Sequence, residues 1–141
     1  MKKPFIALTT AAALASPVAN AIATVTPKKK VVTKTVTVNG SEAEASRWGY
    51  VKVTLVVKKT TTTVGKKQTV TRKITSVKVP EYPDHTDRSV FINRQALPLL
   101  VQEEMSAQFD LSKVNVVSGA TDTSYAFGDS LQAALLAAKK V

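Results

Sequence analysis

The amino-acid sequence predicts a small α+β domain, in which an antiparallel sheet of three or four strands carries two helices on one face. Between residues 31 and 79 the chain is rich in Val and Thr and alternates in character, which is typical of strands. Residues 89 to 108, and the residues after Thr121, instead repeat apolar side chains at intervals of three and four, as amphipathic helices do.

Three strands are predicted from the first pattern. Residues 31 to 38 alternate Val or Thr with Lys or Thr and end at the turn pair Asn39-Gly40. A polar loop at residues 42 to 46 separates them from the second strand, residues 51 to 57, and residues 74 to 79 form the third.

The segment between the second and third strands is rich in Thr and Lys. It covers residues 58 to 73, and Val64-Gly65 at its centre can turn the chain. We predict a long, protruding, basic β-hairpin. Two interpretations remain open: a solvated hairpin without a partner, or a docking arm for an acidic partner or surface.

The first predicted helix covers residues 89 to 108, with Ser89 as its N-cap. Pro98 falls inside it, so either the helix kinks there or a second helix begins at Pro98. His85, in the preceding loop, has no Ser, Cys or metal-ligating residue at a useful spacing, and no chemistry is assigned to it.

Composition excludes several classes of protein. The 141 residues contain no Cys and one His, which excludes a disulfide scaffold, a zinc ribbon and an iron–sulfur site. The formal net charge is +10, but the basic residues are not interleaved with aromatic ones and no nucleic-acid motif is present, so no nucleic-acid partner is predicted. A basic surface suits an anionic membrane or wall polymer, or simply solvent.

Residues 1 to 23 have the pattern of a secretory signal peptide. Lys2 and Lys3 precede a short apolar stretch, and Ala-Asn-Ala and Ala-Ile-Ala offer small-residue cleavage sites. The sequence therefore predicts export, with a single domain over residues 24 to 141. The apolar stretch is shorter than the ~20 residues of a transmembrane helix, although an uncleaved N-terminal membrane anchor stays the alternative.

A small-residue turn, Ser118-Gly119-Ala120-Thr121, is predicted to join a short strand at residues 114 to 117 to the last helix. Such a turn directs backbone N–H groups and the positive end of the helix dipole at one point, which suits a phosphate. Gly119 and Ala120 allow a bulky group to approach, and Thr121 adds a hydroxyl. Thr123 and Ser124 are candidate N-caps of the helix.

This motif, with Thr123-Ser124 after it and Ser-Leu-Gln-Ala-Ala-Leu at residues 130 to 135, resembles the FMN-binding domain family. That family includes the peripheral flavin subunits of the sodium-pumping NADH:quinone reductase and of Rnf-type complexes, and small exported flavoproteins. The resemblance implies that a flavin transferase esterifies the phosphate of FMN to Thr121. The family usually has Asp three residues before the Ser; Asn115 stands there in this chain and lacks the charge.

The resemblance extends over residues 33 to 138 and suggests further contacts. Ile92-Asn93 with Ala-Leu-Pro-Leu after it is similar to a family segment, and Asn93 would contact the flavin or the motif loop, or else be a surface or capping amide. Trp48 is either a core or rim aromatic or a stacking partner of the isoalloxazine ring. Arg47 either reaches a phosphate or is a surface charge.

The function implied is that of an exported electron carrier rather than an enzyme. FMN would be carried covalently for a redox partner in an extracytoplasmic or membrane electron-transfer chain. Two alternatives remain: a reductase or sensor domain that binds FMN without a covalent bond, or a flavin-free domain that binds a surface through its basic hairpin.

Overall fold

The computed structural model describes residues 26 to 141, so the predicted signal peptide lies outside the described residues. The chain forms two compact units. Of the described residues, one takes in 26 to 30 together with the hairpin tip, Thr63–Gln68, and the other comprises Val31–Thr62 and Thr69–Val141. The predicted site residues all belong to the second unit.

Four strands form one antiparallel sheet, as predicted for the fold class. They are β1 (Lys29–Asn39), β2 (Ala43–Glu44), β3 (Tyr50–Val64) and β4 (Lys67–Glu81). Strand β3 is central, because β1, β2 and β4 all pair with it.

The short strand β2 corrects the predicted polar loop at residues 42 to 46. Ala43 pairs with Val51 and Glu44 with Tyr50 in antiparallel register. The side chains of Ala43 and Ala45 are buried, so the small apolar residues of this segment face the core while its acidic residues face solvent.

Strict alternation in β3 explains why both helices cover the same face of the sheet. Its buried side chains are Val51, Val53, Leu55 and Val57, all on one face. They form one apolar cluster with Leu97 and Leu100 of the first helix and with a stripe on the second, namely Ala126, Phe127, Leu131, Ala134, Leu135 and Ala138.

The two helices are α1 (Asp87–Ala107) and α2 (Thr121–Ala138). The prediction that Ser89 caps α1 is wrong: Thr86 is the N-cap, and its hydroxyl accepts a hydrogen bond from the Ser89 backbone N–H at 3.0 Å. Pro98 begins no second helix, and α1 continues through it. Its side chain lies on the exposed side of α1.

None of the helices within residues 26 to 141 is long and apolar enough to span a membrane.

The long hairpin between β3 and β4 is confirmed. Both strands run well beyond the predicted boundaries and are joined by a tight turn at Gly65 and Lys66. Gly65 has a φ of +60°, the left-handed conformation in which glycine is favoured.

The strand predicted at residues 114 to 117 is absent, and this segment is irregular between a 3-10 turn at Leu111–Lys113 and the start of α2. The Asn115 N–H donates to the carboxylate of Glu103 at 2.7 Å, and the Val117 N–H donates to the hydroxyl of Ser124 at 3.0 Å. Side chains therefore satisfy these two backbone N–H groups, and the Val-rich segment does not pair with a strand of the sheet.

The side chain of Gln108 closes the outer edge of β4. Its Oε1 accepts from the Ile74 N–H at 2.8 Å, while its Nε2 donates to the carbonyls of Ile74 at 3.1 Å and Met105 at 2.7 Å. The amide thus occupies the place of a residue in a neighbouring strand, and it ties the end of α1 to the sheet.

Replacing Gln108 with Leu should destabilise the domain by about 1–3 kcal/mol, because it leaves the Ile74 amide and carbonyl groups without a partner in a part-buried setting. Urea unfolding would measure the change. Gln102, exposed within α1, provides the control: its replacement with Leu should change stability by less than about 0.5 kcal/mol. Equal effects of the two changes would contradict the assigned role of Gln108.

Candidate functional site

The motif loop ends directly at the first residue of α2. Thr121 opens the helix and is exposed, and Ala120 is the N-cap, with no side-chain hydrogen bond to the first turn. The N–H groups of this turn are therefore not capped by a side chain. Gly119 has a φ of +84°, and a Cβ added there would have no heavy atom within 4 Å, so the loop leaves open space on this side.

The predicted caps Thr123 and Ser124 are not caps. Both lie inside the first turn and are buried. The Ser124 hydroxyl donates to the Ala120 carbonyl at 2.7 Å and accepts from the Val117 N–H at 3.0 Å. Ser124 therefore holds the motif loop against α2 from within the helix, which leaves the helix N-terminus open towards solvent.

A pocket of about 250 Å³ opens beside Thr121. One wall consists of Trp48, Pro83 and the first turns of α1, and the other consists of the motif loop and the first turn of α2. The lining residues are Trp48, Pro83, Arg88, Ser89, Ile92, Asn93, Gly119, Ala120, Thr121, Asp122 and Thr123.

Asn93 is the buried polar residue of the pocket. It is 1% exposed, and its Nδ2 donates to the Pro83 carbonyl at 2.7 Å, while its Oδ1 has no hydrogen-bond partner. The alternative of a surface or capping amide is therefore wrong. The bond fixes the loop that carries Pro83, and an unpaired buried acceptor is uncommon because it loses its hydration without compensation.

The aromatic and cationic groups near the pocket differ from the predicted set. Trp48 is half-buried and lines the pocket wall. The Arg47 guanidinium lies 4.8 Å from the centroid of the Trp48 ring, a cation–π contact, and Arg47 is not among the lining residues. Arg88 is the cation that lines the pocket, and Asp122 brings a carboxylate to it.

Sequence reasoning missed Arg88 and Ser89. A signal was available, because Ser89 precedes Asn93 by four residues and Arg88 precedes Ile92 by four, so each pair stacks on a helix and the two pairs adjoin. The predicted start of α1 at Ser89 excluded Arg88 from that face. In the structure α1 begins at Asp87, so Arg88 lies within the helix.

The remaining predicted residues lie elsewhere. Ser118 lines an adjoining apolar groove with Phe91 and Leu99, a concavity of about 350 Å³ that shares Ile92, Gly119 and Ala120 with the pocket. Asn115 is exposed and lies in a separate depression with Glu103 and Lys113. The structure thus brings together Trp48, Asn93, Gly119, Ala120, Thr121 and Thr123.

The pocket can hold an anion next to a hydroxyl. First-turn N–H groups and the helix dipole favour negative charge at Thr121, and the guanidinium of Arg88 adds a full positive charge. Among the described residues, no group of three His, Cys, Asp or Glu side chains could hold a metal ion.

Comparison with known proteins gives no relative: no family model, no curated protein and no solved structure matches this chain.

Proposed function

We propose that this chain is an exported electron carrier that bears FMN on Thr121 through a phosphoester bond. The observation that carries the proposal is an exposed Thr hydroxyl on the first residue of α2, at an N-terminus that no side chain caps and beside a pocket. The same Thr closes the Ser-Gly-Ala-Thr motif that resembles the FMN-binding domain family.

The shape of the site is compatible with a flavin nucleotide. The pocket and the adjoining groove, about 250 and 350 Å³, share Ile92, Gly119 and Ala120. Together they fall within the ~300–1,000 Å³ of typical cofactor sites. Apolar side chains of the groove, with Phe91 and Leu99 exposed there, suit a flat aromatic ring system.

The polar groups of the pocket suit the remaining parts of the cofactor. The Arg88 guanidinium and the first-turn N–H groups would hold the phosphate charge. Asn93 Oδ1, which has no partner, would accept a hydrogen bond from a ligand hydroxyl or N–H. When bound, FMN supplies one- and two-electron redox chemistry, and the protein supplies hold and environment.

A covalent bond explains retention of the cofactor. A helix N-terminus stabilises an anion by only ~0.3–2 kcal/mol, which cannot keep a diffusible cofactor outside the cell. In the proposed reaction the Thr121 hydroxyl oxygen forms a bond to the FMN phosphorus of FAD, the pyrophosphate bond breaks, and AMP leaves. The hydroxyl proton is taken up by the transferase.

Co-expression of the exported chain with a flavin transferase tests the proposal. We expect a fluorescent band on a denaturing gel and an FMN adduct, located by mass spectrometry, on the peptide that contains Thr121. Replacing Thr121 with Ala should abolish the adduct completely, since the oxygen that carries the bond is gone. Replacing it with Ser, which keeps the hydroxyl, should retain labelling.

The outcomes separate the alternatives. Yellow protein that loses its flavin on denaturation would indicate a non-covalent FMN domain and would contradict the ester at Thr121. Colourless protein with no adduct, despite an active transferase that labels a known acceptor in the same cells, would contradict flavin binding altogether and favour a flavin-free surface-binding domain.

A further inference from the structure

The face of the sheet turned away from the helices is basic and hydroxyl-rich. No Asp or Glu occurs between Tyr50 and Pro80, which includes all of β3 and all but the last residue of β4. On this outer face, Lys58 and Lys73 are exposed and Thr60 is half-buried. The chain therefore presents positive charge here without a carboxylate in either strand.

Two hydrogen bonds define the register between strands β3 and β4. The Thr71 hydroxyl donates to the Thr60 carbonyl at 3.5 Å, and the Thr75 hydroxyl donates to the Val56 carbonyl at 3.2 Å. In an antiparallel pair with this register, Lys58 lies directly opposite Lys73 on the outer face. We call these two residues the lysine pair.

The lysine pair is an unfavourable arrangement for the isolated chain. Like charges directly opposite each other on neighbouring strands destabilise a sheet, because their Cβ atoms are only ~4.5–5.5 Å apart. Within residues 26 to 141 the one ion pair joins Lys113 to Asp110. Neither Lys58 nor Lys73 is therefore neutralised by a carboxylate of the described residues. On the opposite face, Lys59 lies at the same level and adds to the local positive charge, while the guanidinium of its neighbour Arg72 donates to the Val141 oxygen at 2.9 and 2.6 Å.

We propose that the lysine pair binds a linear, phosphate-bearing polyanion. Lys provides point charges that suit phosphate oxygens along an extended chain. The Thr71 and Thr75 hydroxyls already donate to strand carbonyls, so the hydroxyl of Thr60, on the same face, is the donor that would assist the two lysines. Residues 51 to 80 contain no aromatic side chain, so the strands around the lysine pair offer nothing on which nucleic-acid bases could stack. The apolar residues of the outer face are Val rather than the Trp, Phe or Leu of membrane-inserting faces, which favours a soluble polymer over a bilayer. The proposal is independent of flavin at Thr121.

Long-chain inorganic polyphosphate is the probe, titrated by calorimetry into the full-length mature protein. Replacing both Lys58 and Lys73 with Gln should weaken binding by roughly ten-fold or more, and the affinity of the parent protein should fall as salt is raised. The matched control replaces Lys139 and Lys140 with Gln at the end of α2, which removes the same number of charges from the helical layer. It should change affinity less than about two-fold.

A second variant separates binding from folding. Replacing Lys73 with Glu places an opposite charge across from Lys58, so the unfolding temperature should rise or stay unchanged while polyphosphate binding is lost. Equal weakening by both double variants would mean that net charge alone attracts the polymer, and would overturn the proposal. Lysine-pair-dependent binding to vesicles of four parts phosphatidylcholine and one part phosphatidylglycerol, without polyphosphate binding, would overturn it in favour of a membrane.

Discussion

Replacing Gly40 with Ala should destabilise the domain by about 3 kcal/mol, one of the largest effects expected of any single methyl group in this chain. A Cβ at this position would overlap the carbonyl oxygen of Ser130, lie 2.6 Å from its Oγ and 2.9 Å from its carbonyl carbon. Two of these three atoms are backbone atoms of α2, so no change of side-chain rotamer relieves the overlap.

The close approach at Gly40 belongs to the junction between the sheet and α2. The Gly40 N–H donates to the Val53 carbonyl at 2.7 Å, and the Val53 N–H donates to the Ser130 hydroxyl at 2.8 Å. Ser130 thus supplies a hydrogen-bond acceptor to the central strand at the gap between β1 and β2. Ala at position 40 must push α2 away and break this buried bond as well.

Urea unfolding of matched glycine variants would measure the effect. Gly128 lies inside α2, and a Cβ added there meets no atom within 4 Å. Gly128→Ala should therefore stabilise the domain, by about 0.5–1 kcal/mol, because Ala is the better helix former. If Gly40→Ala is as stable as the parent protein, helix α2 does not pack against the chain at Gly40 as described.

The sequence predicts those features of the fold that depend on neighbours in the chain. Alternation of Val and Leu from residue 51 to residue 57 was sufficient to predict a strand with one buried face, and the Thr- and Lys-rich stretch predicted the hairpin. In the site, the motif located Thr121 next to a helix start, although Thr123 and Ser124 were expected to cap the helix and Ala120 is the N-cap.

The failed predictions concern groups whose partners are distant in the chain. The Val-rich run at residues 114 to 117 has strand propensity, but its backbone groups are held by Glu103 and Ser124. Ser is a favoured N-cap residue, yet the Ser124 hydroxyl donates to the Ala120 carbonyl of the motif loop. The sequence indicates only a turn glycine at position 40. The packing of α2 shows that glycine is required there, because a Cβ would overlap Ser130.

The free energy of unfolding should fall as pH rises from about 4.5 to about 7, and Glu104 should be responsible. The side chain is 0% exposed on the core-facing side of α1, and neither carboxylate oxygen has a hydrogen-bond partner. Burial raises the pKa of Glu104 from 4.5 to about 7. In this window the folded state retains a proton that the unfolded state has released, so each increase in pH favours unfolding.

Replacing Glu104 with Leu should remove this pH dependence. Since one pKa unit corresponds to ~1.36 kcal/mol, the variant should be more stable than the parent protein by up to about 3 kcal/mol at pH 8, with a much smaller difference at pH 4.5. The measurement is urea unfolding at several pH values. Glu103 is the control: its carboxylate accepts from the Asn115 N–H, and Glu103→Gln should leave the pH dependence in place. If the free energies of unfolding of the parent and Glu104→Leu proteins change with pH in parallel, the prediction is wrong. Glu104 would then be paired or hydrated in solution, because burial without a partner is what opposes ionisation of its carboxyl group.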